Sequence, residues 1–419
     1  MQMRTSLNHG TASWGTGNVD LGTARLADAD VTVTLCDTAA VDTTDSGPTL
    51  WRIAMEQCVL ERVRCRVTMP GDTMRIGAYV EKAVATTGDF DLAEERYALA
   101  SLRMEQTELS VEQRSEGEQE PGNSGGKEGI IDFGHLLFTE INLNIDSLCY
   151  DGKAATTRLD IRSAAMKEGC GLAITELRGS IMLDSLGVRA PSTMLRTPYS
   201  YIYAQASVDY AALDSDGGSM DITLDAQVGK SDISHFMQIA DMPEWPLTAK
   251  GRVKGNIGRA TIESITIDLP TAIHAEAQGT AGMSGNGGDR TLTADIDMKA
   301  QLQKTDFVLA ALDMANQGWT IPQGLLLQGN VKADGQRYAA DITAEESQTV
   351  VRAKGFFDGK TETYALDADI DELDVKTFMP SMDCILRQAR CNVTGGGTDA
   401  MAPGSWMESG ATFGRLTYG

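Results

Sequence analysis

A chain of 419 residues has room for two or three ordinary domains or for one extended array. Its formal net charge of −23, with no concentration of Lys or Arg, excludes a nucleic-acid binder and broad docking on an anionic membrane surface. Glycine is abundant and proline scarce, 43 against 11, and only 6% of residues are aromatic; that balance suits many short strands, tight turns and an aliphatic interior.

Residues 1–30 carry no clear periodicity and are expected to be a poorly ordered or partial start. The opening MQMRTSLNHGTASWG lacks the apolar stretch of a secretory signal. The closing GRLTYG reads as a strand just beginning, so the chain is expected to be a piece of a longer protein cut at both ends. No apolar run is long enough for a membrane helix.

From residue 31 strict alternation dominates. Val31, Val33 and Leu35 open it within a first β segment, 31–110. The stretch 111–129, VEQRSEGEQEPGNSGGKEG, cannot bury surface and is expected to be a disordered insertion. A second β segment, 130–419, continues the pattern through Leu159 and Ile161, then Tyr199, Tyr201 and Tyr203. Side chains on a strand point to opposite faces with period two. Met220, Ile222 and Leu224 therefore share an apolar face, opposite Asp221, Thr223 and Asp225. Ile265 with Ile267, Leu292 with Ile296, and Tyr364, Leu366 and Ile370 repeat the arrangement. Leu325, Leu327, Tyr338, Ile342 and Val351 are assigned to the same lining. Helical periodicity is confined to two short stretches, Ser231–Ala240 and Lys304–Gln317.

The C-terminal half is repetitive. Phe236, Phe307 and Phe378 lie 71 residues apart each time, and Gly251-Arg-Val-Lys recurs as Gly329-Asn-Val-Lys. Such self-similarity marks a stack in which each unit contacts its neighbours.

No catalytic set emerges. Gly122-Asn-Ser-Gly-Gly126 is similar to a serine-protease nucleophile segment, but a triad needs a positioned His and Asp, and the only upstream His is His9. Gly126-Lys127 is followed by Glu128 and is no phosphate loop. The four His are scattered without metal-ligand spacing, and no metal or cofactor is expected. Asp367, Asp369 and Asp371 share one strand face and read as its solvated side. Asn392-Val-Thr394 fits a glycosylation pattern by chance. The seven cysteines form no disulfide framework; buried or free thiols are the main reading, with one or two real bridges left open.

The repeated apolar lining has two readings. In a closed sandwich or solenoid it is simply core; in an open, curved sheet it lines a groove, and lipid acyl chains are its natural occupants.

Thr363–Pro380, TYALDADIDELDVKTFMP, followed by Gly395-Gly-Gly-Thr-Asp399, resembles a recurrent element of the TamB (translocation and assembly module) family, within the AsmA-like group of Bacteroidota type. Lys167-Glu-Gly-Cys-Gly-Leu172 through Leu195-Arg-Thr-Pro-Tyr-Ser200 is similar to a second family segment, and Asp42–Trp51 fits an upstream strand pair. The resemblance implies an all-β fold: a long curled antiparallel sheet, or β-taco, with few short helices at repeat corners. It implies a non-enzymatic groove that conducts phospholipid between inner and outer membranes and assists outer-membrane protein assembly. It places the protein in the periplasm, tethered by an N-terminal inner-membrane anchor and meeting an Omp85-type partner through a C-terminal region; neither segment is in this sequence. The competing expectation is a structural or adhesive β-solenoid binding module at the cell surface. A carbohydrate-active β-helix is disfavoured by the scarcity of aromatics.

Overall fold

The computed structural model describes residues 4–13, 17–34, 51–69, 74–113, 129–214, 217–237, 239, 242–284, 291–303, 318, 320–397 and 404–418. The chain divides into two compact units. The first is Met1–Ser207 with Ser231–Gln238, and the second is Val208–Lys230 with Ile239–Gly419.

The first unit holds β1 (Arg4–Ser13), β2 (Asn18–Ala27), β3 (Asp30–Thr34), β4 (Arg52–Thr68), β5 (Met74–Asp91) and β6 (Arg96–Gln113). It continues with β7 (His135–Asp151), β8 (Thr156–Glu168), β9 (Ala173–Leu183) and β10 (Gly187–Arg196). β11 (Tyr201–Asp209) crosses the boundary between the units. Pairing is antiparallel and sequential from β4 to β10, and β1 pairs antiparallel with β2. β2 and β3 run parallel to successive stretches of β4, as one strand bent at Asp28. The stretch 1–30, expected to be a poorly ordered or partial start, carries β1 and β2 among its described residues.

The long strands fold along a crease. Asp28, between β2 and β3, Arg62 in β4, Gln106 in β6 and Glu140 in β7 all adopt the left-handed conformation, φ 48–54°. The register is unbroken at Asp28 and Arg62, whereas it shifts by one residue beside Gln106 and Glu140, as at a bulge. Arg62 Nε donates to Asp28 on the outer side at 2.7 Å. On the inner side Ala29, Val63, Val80, Ala83, Thr107 and Ile141 are buried. The apolar face is therefore on the inside of the bend.

One corner of this unit is built from buried polar groups. Asp232 is 5% exposed and accepts from the hydroxyls of Thr197 and Ser200. His235 Nδ1 lies 2.8 Å from the carbonyl of Gly129. A second corner centres on Glu168, 8% exposed, whose carboxylate takes the N–H of Cys170 at 2.7 Å.

The second unit holds α1 (Tyr210–Asp214), β12 (Met220–Val228), β13 (Leu247–Gly255), β14 (Ala260–Leu269), β15 (Ile273–Ser284), β16 (Thr291–Leu302) and β17 (Leu325–Asp334). Then come β18 (Arg337–Glu346), β19 (Thr349–Asp358), β20 (Thr363–Asp374), a 3-10 turn at Val375–Thr377, β21 (Cys384–Gly396) and β22 (Trp406–Tyr418). Every consecutive pair from β12 to β22 is antiparallel. The fold is all-β, mostly antiparallel and not closed, with few short helices.

Several sequence expectations are corrected. α2 covers only Lys230–Ile233, not Ser231–Ala240, because the chain turns at Ser234–Phe236. Gly414–Tyr418 finish β22 rather than opening a strand. β6 runs on to Gln113, into the stretch expected to be an insertion; 114–128 lie outside the described residues, as do the helical candidate 304–317, the strand-pair residues 42–50 and the GNSGG segment. No described helix is long and apolar enough to cross a membrane.

Candidate functional site

Register turns the alternation of single strands into rows that cross whole sheets. In the second unit Leu224 opposes Gly251, then Ile265, Ala277, Met298, Gly329, Ile342, Ala353, Ala368 and Cys391 follow in order across the strands. A parallel row starts at Ile222 and passes through Ile262, Ile296, Val331 and Leu366 to Val393. Another joins Ala226, Ile267, Ala300, Leu327, Val351 and Ile370. Met220, Tyr338 and Tyr364 belong to a fourth row, Leu292 lies just beyond it, and Leu325 lies at the opposite side. All fifteen candidate lining residues fall on one face. Bulges at β14 and β20 keep it apolar by adding a residue where the phase would otherwise slip.

The first unit has the same construction. Leu26, Leu60, Ala83, Met104, Leu143, Ala164, Leu177 and Leu195 oppose one another in a single row. None of these was assigned to the lining from the sequence. The left-handed residues displace the apolar positions by one, from Leu60 to Val63 and from Met104 to Thr107, so simple alternation fails over β4–β6.

Exposure varies across the apolar face of the second unit. Leu269, Ala226, Leu325, Ala300 and Ile370 are buried. Towards the hairpin turns Ile222, Leu224, Leu292, Leu366 and Tyr338 are 37–46% exposed. Ile267, at 39%, and Ala333, buried in the row of Tyr338, depart from this gradient. Large aliphatic side chains are thus partly uncovered along one margin and sealed along the other.

The opposite face is a lattice of cross-strand ion pairs. Arg252 is bidentate on Asp221, and Lys332, Arg390 and Arg352 engage Asp295, Asp369 and Asp371. Hydrogen bonding from Arg252 holds the Asp221 carboxyl below its usual pKa, and Asn330 and then Lys332 do the same to Asp295. Asp369 and Asp371 are therefore paired. His274 lies beside Asp268 and Glu276 on this polar face. An open cleft of about 830 Å³ lies against β14–β18; β18 lends Asp341 and Thr343 but not Ile342 between them, so it opens on the polar side. Of the candidate lining residues only Ile265 touches it.

The hairpin turns share a design that the sequence reading missed. Asp91, Asp151 and Asp358 each accept backbone N–H groups two or three residues on, and Glu95, Ala155 and Glu362, four residues on, are left-handed. Aromatic residues flank these turns: Phe90 and Tyr97, then Tyr150, and Phe357 with Tyr364. Tyr97 and Tyr150 stack with centroids 5.7 Å apart. The recurring signal is Tyr150-Asp-Gly-Lys against Phe357-Asp-Gly-Lys.

Among the described residues no cluster of His, Cys, Asp or Glu is arranged to hold a metal, and the six described cysteines are free. Burial raises the Cys58 thiol pKa; burial and then Glu168 raise that of Cys170. No protein-family model, curated protein or solved structure matches this chain.

Proposed function

We propose that the apolar face is a binding surface for phospholipid acyl chains, and that the chain is a non-enzymatic segment of the TamB/AsmA-like kind. In this reading it conducts lipid between inner and outer membranes in the periplasm, tethered by an N-terminal anchor. An Omp85-type partner would link it to outer-membrane protein assembly. One observation carries the proposal: large aliphatic side chains, interspersed with Ala and Gly, stand in continuous apolar rows across β12–β21, and several of them remain more than a third exposed. Extended exposed apolar surface marks binding. Burying hydrocarbon there is worth roughly 0.8 kcal/mol per methylene, whereas sliding along equivalent rows changes little buried area.

The buried margin at Leu269, Leu325 and Ile370 favours the second reading, a structural or adhesive β-solenoid whose apolar rows are core. Ile296→Asp and Leu366→Asp separate the two. Lipid transfer between vesicles should fall about tenfold while thermal stability changes little, since Leu366 is 42% exposed. Unchanged transfer, or unfolding by Leu366→Asp, would count against a groove.

A further inference from the structure

The polar face of the second unit is not uniform. Over β12–β14 and β19–β21 its charged side chains close on one another across the strands, as Arg252 does on Asp221 and Glu263, and Arg390 on Asp369. Between these stretches lies the open cleft of about 830 Å³ against β14–β18. Two register rows cross it. One runs Thr266, Glu276, Lys299, Gln328, Thr343. The other runs Gln278, Asp297, Asn330, Asp341, with Ser264 beside Gln278 at the β14 bulge.

Pairing changes at the cleft. Among the described residues, Ser264, Thr266, Gln278, Lys299, Gln328 and Thr343 make no side-chain hydrogen bond or ion pair. The three carboxylates of the cleft are only partly engaged: Glu276 has His274 at 3.4 Å, Asp297 accepts from Asn330 through Oδ1, and Asp341 has Lys354 at 3.8 Å. The lattice of ion pairs thus gives way to a strip of hydroxyls and amides, and the strip coincides with the hollow. A flat strand face of that composition is merely solvated. Here the unpaired groups line one concavity whose volume falls in the range of ligand sites.

We propose that this cleft binds a neutral polyhydroxylated ligand, a glycan chain laid across β14–β18. The chemistry selects that class. Amides and hydroxyls both donate and accept, as vicinal sugar hydroxyls do. Three carboxylates against one ammonium repel an anion and leave acceptor oxygens for sugar hydroxyls. Strands about 4.8 Å apart make the five-strand strip roughly 19 Å long, which favours a chain over a single ring. The lining holds no aromatic ring; Ile265, Ala277 and Met298 add only aliphatic contact, so the sugar is held mainly by hydrogen bonds, and weakly. The site lies on the face opposite the apolar rows and does not depend on the lipid reading.

Saturation-transfer NMR on the whole chain tests this with three probes: cellohexaose as a neutral glycan, hexagalacturonate as its anionic counterpart and spermine as a cation. Cellohexaose should bind saturably and hexagalacturonate should not bind. Gln278→Ala combined with Gln328→Ala should weaken cellohexaose binding about tenfold, as the loss of two hydrogen bonds does, and leave the melting temperature and lipid transfer between vesicles unchanged. Arg390→Gln, on the ion-paired part of the same face, should leave cellohexaose binding intact. Binding of spermine alone, or of hexagalacturonate as well as cellohexaose, overturns the ligand class. Absence of cellohexaose binding, or binding that the double variant does not weaken, overturns the site. Neither result bears on the lipid reading, which stands or fails by vesicle transfer.

Discussion

Thr107 lies at the crease of the first unit, 2% exposed, and its hydroxyl has no hydrogen-bond partner among the described residues. An unsatisfied buried hydroxyl costs about 1–3 kcal/mol, and Val has nearly the same shape. Thr107→Val should therefore stabilise the protein by about 1 kcal/mol in urea unfolding; a loss of stability would mean that the hydroxyl has a partner in solution. Glu168 is the opposite case. Burial disfavours its charge, but hydrogen bonds from Cys170, Leu137 and Gly169 outweigh that and hold its pKa below the usual value. A depressed folded pKa contributes stability that is complete above the unfolded value, about 4.3, and is lost as pH falls through the lower folded one. The wild type should therefore lose more stability than Glu168→Gln between about pH 5 and pH 3. Parallel loss in the two proteins would remove Glu168 from the acid response.

Strand length decided what could be read in advance. In β12, β16 and β20 alternation keeps one phase over most of the strand, so Ile222, Ile296 and Leu366 were legible as one face. In β4 and β6, 17 and 18 residues long, a left-handed residue resets the phase mid-strand, and the apolar face is legible only once register is known. The Asp-initiated hairpins were missed for a related reason: their left-handed position is filled by Glu or Ala rather than Gly or Asn. Gln106, at φ 48°, carries the steric penalty of that region, which glycine escapes. Gln106→Gly should stabilise by up to about 1 kcal/mol, whereas glycine in a regular strand destabilises. Destabilisation in chemical unfolding would place Gln106 in ordinary extended conformation.

Both units solve one problem in the same way. Each sheet turns a polar face to water, and in the second unit cross-strand ion pairs span that face. Each apolar face is sealed along one band and left open elsewhere: the crease at Val63 and Val80 in the first unit, the Leu269–Leu325 margin in the second. Alternation made the apolar face legible; it carried no signal for which band is covered, because coverage comes from bends and corners distant in sequence. The most direct test of the central claim is native mass spectrometry with lipid extraction of the whole chain purified from a membrane-containing lysate. The account predicts bound phospholipid that Leu366→Asp reduces. A chain free of lipid, which also takes up none from added vesicles, would contradict it.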